Sequence, residues 1–227
     1  MDSDSVPGFV SGAAPGSAPG PETVATLPRG HHRLSRDEVG AAQRARLLTA
    51  MVAVVAEHGY AATTVGAVLK RARISRQTFY EFFANKEDCF LAAFDDSAEV
   101  FVARIEEAFG SPDDPVAVRL DRVMDAYLGT LAASPASARV FLIEVYGAGY
   151  AAVSRRLSSQ ERFAMLVADA IDAGGRRRPG LDPKFIGRAL IGAVSALVTA
   201  RIEVGDVAGL AALRGSITEL IRALLDT

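Results

Sequence analysis

Ser75-Arg76-Gln77-Thr78-Phe79-Tyr80, inside the stretch from Thr64 to Lys86, decides the fold. Thr64 stands before Val65, Val68, Leu69 and Ala72, whose spacing predicts a short helix capped by the threonine, with Lys70 and Arg71 turned away. Arg73-Ile74 interrupts the pattern, and Ser75 predicts a second cap. Phe79, with Phe82 or Phe83, then anchors the second helix to a core and leaves Arg76, Gln77, Thr78 and Tyr80 outside. Two short helices across a tight break, the second polar outside and aromatic behind, form the layout of a helix-turn-helix. The exposed set suits DNA: Arg pairs with guanine O6 and N7, Gln with adenine N6 and N7, Thr with a base or a thymine methyl, and a tyrosine hydroxyl reaches phosphate.

The flanking residues extend the pattern. Glu57-His58-Gly59-Tyr60-Ala61-Ala62-Thr63-Thr64-Val65 leads in, Ile74 through Tyr80 follows, and Phe83-Ala84-Asn85-Lys86-Glu87 leads out. Over residues 36–92 this order resembles the DNA-binding domain of the TetR family of transcriptional regulators. The resemblance implies that Thr64, Tyr80 and Lys86 hold phosphates, while Arg76, Gln77 and Thr78, on the helix that Ser75 caps, approach bases. Asn85 is placed to cap the following helix, so its amides and the Lys86 ammonium converge on one backbone oxygen. One residue departs from the family: Arg73 stands where glycine is usual. It is expected to take a left-handed or bridging conformation, at a cost of about 1 kcal/mol.

The 227 residues, half of them hydrophobic, can bury a sizeable core. Alternating β-branched runs are scarce. The fold class is therefore all-α, with an N-terminal three-helix helix-turn-helix domain and a C-terminal helical ligand-binding and dimerisation domain, the latter implied by the resemblance. Net charge is only −2, but residues 29–90 hold ten Lys and Arg against six Asp and Glu, so the basic excess sits with the reading head. Cys89 is the sole cysteine, expected as a buried small hydrophobe in a reducing compartment. Asp2 and Asp4 stand where a secretory signal carries positive charge, and no uninterrupted apolar run of about 18 residues occurs. The chain is expected to be cytoplasmic, without membrane contact. It has three histidines and no Gly-rich phosphate loop, nucleophile elbow or metal-ligand pair, so neither an enzyme nor a metal or other cofactor is expected. A competing reading is an all-helical interaction scaffold without DNA binding, whose docking would lack the steep salt dependence of phosphate contact.

Three regions follow. Residues 1–33, rich in Gly, Pro, Ser and Ala, read as a disordered tail ending in a basic arm, Arg29, His31, His32 and Arg33, which is either a DNA contact or a solvated linker. Residues 34–84 form the reading domain, opened by a Leu34 staple onto Val39 and a Ser35–Glu38 capping box. The body occupies 85–227. There a helix from Lys86 to Phe109 precedes one capped by Asp114 with Pro115 at its first position; Phe141 to Tyr146 belongs to a short apolar helix, and a long one runs from about Tyr150 to Ala173. Arg176-Arg177-Arg178 reads as an exposed loop or a second DNA contact, and Asp182-Pro183 opens the penultimate helix.

The family resemblance implies an effector pocket in the body. Candidates are Phe101, Ile105, Met124, Tyr127, Phe141, Glu144, Tyr146 and Phe163, with Phe109 and Met165 as further apolar options. Each of the apolar ones also suits plain core. Glu144, between apolar neighbours, needs Arg139 or a cationic ligand if buried, and otherwise marks an exposed helix edge. Ile186, Leu190, Val194 and Leu197, then Leu213, Ile217, Leu220 and Leu224, make two seams expected to pair two copies as a homodimer; an intramolecular core is the alternative. The expected partners are a double-stranded DNA operator, a second copy and an unidentified small-molecule effector, whose binding changes the spacing of two reading heads.

Overall fold

The Ser35 hydroxyl accepts from the Glu38 amide at 3.1 Å while the Glu38 carboxylate accepts from the Ser35 amide at 2.6 Å. This capping box opens α1 (Arg36–His58) and satisfies two donors that a helix start leaves orphaned. The structure, a computed structural model, describes residues 35–173 and 180–225, with side chains through Ala223. The tail and basic arm with the Leu34 staple, and the Arg176–Arg178 stretch, lie outside the described residues.

Eight further helices follow: α2 (Val65–Ala72), α3 (Arg76–Phe82), α4 (Lys86–Phe109), α5 (Val116–Ala133), α6 (Pro135–Leu142), α7 (Tyr150–Ala173), α8 (Pro183–Glu203) and α9 (Gly209–Leu225), with a 3-10 segment, Glu144–Ala148, between α6 and α7. No strand occurs among the described residues. Leu47, Met51 and Val55 of α1, Val68 of α2, Phe79 of α3 and Phe90 of α4 are fully buried and join the first four helices in one core. Burial on this scale stabilises by about 1.5–3 kcal/mol per large side chain. Cys89 lies in the same core, and burial pushes its thiol up to about 12, so it is held as an inert thiol.

Helix α4 continues into the body, where it packs on α5, α6 and α7. The tightest pairing joins α7 to α8. A side chain at Gly187 would put its Cβ 2.2 Å from the Ala164 carbonyl oxygen, so glycine is what lets these backbones approach. Two boundaries differ from expectation. Pro115 is itself the N-cap of α5, without a side-chain cap bond, because Asp114 is drawn off by the Arg122 guanidinium at 2.6 Å. The apolar run from Phe141 to Tyr146 is not one helix: α6 stops at Leu142, Ile143 leaves the helical region, and the tighter segment turns Glu144 back toward α1.

Candidate nucleic-acid interface and enclosed cavity

The reading head is built by its caps. Thr64 accepts from the Ala67 amide at 3.2 Å to start α2, and Ser75 accepts from the Thr78 amide at 3.1 Å to start α3. Between them Arg73 adopts φ 53°, ψ 50°, the one non-glycine with positive φ among the described residues. The expected left-handed turn is present. Two backbone donors, the Arg73 and Ile74 amides, close onto the Leu69 carbonyl and let the chain reverse into α3. The Arg46 guanidinium, reaching from α1, donates to the carbonyls of Ala72 and Arg73 and offsets the negative end of α2. Arg46 escaped the sequence reading, since an exposed arginine in an amphipathic helix carries no mark of a partner 26 residues away.

Phe79 is wholly buried and Phe83 nearly so, while Phe82 is half-buried against Gly40. The helix between these anchors exposes Arg76, Gln77 and Tyr80, the last at 49%. Thr78 is partly buried, its hydroxyl 2.9 Å from that of Ser75. The Gln77 amide donates to Glu81 at 3.3 Å along the same face. Lys86, at the start of α4, folds back: its ammonium donates to the Tyr60 carbonyl at 2.9 Å and sits 4.1 Å from the Tyr60 ring centre. Asn85 caps α4, accepting from the Asp88 amide at 2.9 Å.

In the body, a cavity of ≈ 60 Å³ lies among α4, α5, α6, α7, α8 and α9. Phe101, Ile105, Met124, Tyr127, Phe141 and Phe163 all line it. Glu144 and Tyr146 do not. Tyr146 is 56% exposed on the 3-10 segment. Glu144 is 12% exposed, accepts from the Tyr60 amide at 2.9 Å and pairs with Arg139 at 3.1 Å, so it is neither pocket nor free edge but a bridge to the α1–α2 connection. Gly59 at φ 79° makes room for it, since a Cβ there would stand 3.3 Å from the Glu144 carboxylate.

The cavity also holds a residue the sequence reading passed over. Arg156 is 3% exposed, its guanidinium 4.7 Å from the Phe141 ring centre and donating to the Ser195 hydroxyl at 2.8 Å. Burial pushes its pKa down, and its Nε has no hydrogen-bond partner. A signal existed: Ala152, Arg156, Phe163 and Val167 fall on one stripe of α7, with the arginine among apolar residues. The adjacent Arg155 masks it, because that side chain faces out to Asp95 at 3.0 Å.

Four of the eight expected dimer residues, Ile186, Leu190, Val194 and Ile217, are turned into the chain's own core, and Leu213 is half-buried. Leu197 and Leu220 are exposed, at 46% and 44%, and the Leu224 side chain lies outside the described residues. Ile186, Leu190, Val194, Val198 and Ile202 mark the inner side of α8, while Phe185 near its start is exposed. Its outer side carries Ala189, Gly192, Ala193, Ala196 and Ala200, all exposed and small.

Residues 47–93 match the family described as bacterial regulatory proteins, tetR family. The chain is 24% identical over 179 residues to the fatty acid metabolism regulator protein of Bacillus subtilis, covering 78% of this chain and 92% of that one. It is 29% identical over 196 residues to the HTH-type transcriptional repressor SCO4008 of Streptomyces coelicolor, covering 82% and 96%. The solved structure of the transcriptional regulator FadR from Bacillus subtilis, in complex with stearoyl-CoA, superposes with a TM-score of 0.70 at 24% identity, over 80% of this chain and 97% of FadR. The capped turn, the exposed reading helix and these likenesses agree: residues 47–93 match the tetR family of bacterial regulatory proteins, and the chain is similar over most of its length to transcriptional regulators.

Proposed function

We propose that a homodimer of this chain occupies a two-half-site operator in the cytoplasm, represses the adjacent promoter, and leaves when a small molecule fills the cavity of the body. The observation that carries the reading is the exposed Arg76–Gln77–Tyr80 face on a helix pinned by the buried Phe79. Arg76 and Gln77, with Thr78 behind them, read bases; Thr64, Tyr80 and Lys86 hold phosphate. Lys86 keeps its contact with Tyr60 through one proton and has two others to offer a phosphate oxygen. The division at residue 84, head before and body after, follows from these separate tasks.

Release is a population shift. A cavity of ≈ 60 Å³ is smaller than the roughly 150 Å³ void that admits benzene. Any effector must therefore push α4, α5 or α7 apart, and it binds the expanded form better than the closed one by the cost of that expansion. The apolar lining and the kinship with a regulator whose structure holds stearoyl-CoA support an effector with a hydrocarbon body. Selecting bound DNA from a random pool tests the whole reading. A palindromic site with half-sites about 34 Å apart is expected, and recovery of no enriched sequence would refute it.

A further inference from the structure

Arg156 sets a requirement on the effector that hydrocarbon alone does not meet. The cavity lining contributes four polar side chains, Tyr127, Arg156, Gln160 and Ser195, and no carboxylate. A buried guanidinium without a counter-charge is costly, and here the offsets are partial: one bond to the Ser195 hydroxyl, the face of Phe141, and an Nε with nothing to donate to. Ser195 also accepts from the Gln160 amide at 3.1 Å, so its lone pairs are committed. Tyr127 stays a neutral phenol, raised to about 12 by burial, and cannot supply the missing charge at neutral pH. Four other arginines of α7 and α8 do reach carboxylates: Arg155 pairs with Asp95, Arg162 with Glu106, Arg188 with Glu161 and Arg201 with Asp206.

We propose that the effector is a carboxylic acid with an apolar body, whose carboxylate enters the cavity and is held by Arg156. The inference rests on the cavity being the effector site. A carboxylate takes two parallel donors from a guanidinium, which matches a fork with an unused Nε. Phe101 and the two rings that each lie 5.7 Å from it, Phe141 and Phe163, enclose the body of the ligand. Because the ligand-free protein carries an uncompensated charge, ligand binding recovers more than the contact itself contributes in water. The placement differs from one in which a thioester lies with its acyl tail in the cavity and its charged portion outside, since here the acidic end is innermost.

The test uses the full chain and matched probes: decanoate, decanol and decanoyl-CoA, with naphthoate and naphthalenemethanol as a ring-shaped pair, measured by calorimetry and by melting. At least one acid is expected to bind about ten- to a hundredfold tighter than its alcohol, the effect of one charged hydrogen-bonded contact. Arg156→Met should erase that preference while melting cooperatively at or above the wild-type temperature, and Arg156→Lys should keep part of it. Equal binding of acids and alcohols, preference surviving in Arg156→Met, or binding of decanoyl-CoA alone would each overturn the proposal. So would a large drop in the Arg156→Met melting temperature, which would make the arginine a structural post for Ser195. Operator binding without any probe is measured separately; its failure would sink the repressor reading and leave the acid–alcohol comparison standing.

Discussion

Arg73 shows how one residue sets both the shape and the cost of a reading head. Its left-handed conformation is imposed by the need to end α2 and start α3 within three residues, and a Cβ there costs about 1 kcal/mol. Replacing it by glycine removes that strain but loosens the unfolded chain, so Arg73→Gly should gain about 0.5–1 kcal/mol, or about 1–4 °C in melting temperature for a chain of this size. Thermal unfolding checks this; a fall would mean the arginine's charge matters more than its backbone. The neighbouring side chains divide by role. Gln77→Ala should relax base preference at particular operator positions by about 1–3 kcal/mol, visible as a flattened column in the selected sequences. Tyr80→Ala should instead weaken every sequence alike and reduce the salt slope of binding, as loss of a phosphate contact does.

At the scale of the element, α6 with its 3-10 extension joins the cavity to the head. Phe141 of α6 stacks on Phe94 at 4.9 Å and lies under the Arg156 guanidinium, while three residues on Glu144 grips the Tyr60 amide, whose carbonyl holds Lys86. A ligand that shifts Phe141 therefore pulls on the α1–α2 connection. Glu144→Ala leaves the Tyr60 amide without its acceptor, a loss of about 1–3 kcal/mol, and should blunt release of operator by decanoate while its affinity for the cavity is unchanged. Parallel titrations of acid with and without operator check this, and equal release would place the coupling elsewhere. The element was only half legible in sequence. Caps at Ser35, Thr64, Ser75, Asn85 and Asp182 are local chemistry, written in residues two or three positions apart, and the helix starts follow from them. The break at Ile143 has no such mark, because neither glycine nor proline stands there; it goes with the packing of Glu144 under Gly59 and its bond to the Tyr60 amide, a partner 84 residues away. Arg156 was hidden for the same reason: which of two adjacent arginines faces inward depends on where the other helices lie.

For the whole molecule, the proposed dimer requires one side of α8 and α9 to meet a second copy. Periodicity found the leucines and isoleucines, but a helix in a two-layer position has two apolar sides, and the larger residues went to the core of the chain. What is left outside includes Ala189, Gly192, Ala193, Ala196, Leu197 and Ala200 on α8 with Ala212, Gly215, Ser216 and Leu220 on α9. Small residues of this kind let helices from two copies approach closely, and a stable interface needs about 800 Å² per partner. Helix α8, like α1, is long and apolar enough to cross a bilayer by length and composition alone; in the proposed dimer the exposed apolar face of α8 would be covered. Ala196→Glu or Leu220→Glu should therefore halve the mass in sedimentation while leaving each chain folded. Operator affinity should fall about a thousandfold, toward non-specific binding, since one head alone loses the second half-site. Ile217→Glu is the contrast: it buries an unpaired charge in the monomer core, costs about 3–5 kcal/mol or more, and should unfold the chain. If Leu220→Glu keeps the dimer mass and full operator affinity, the second copy docks on another face.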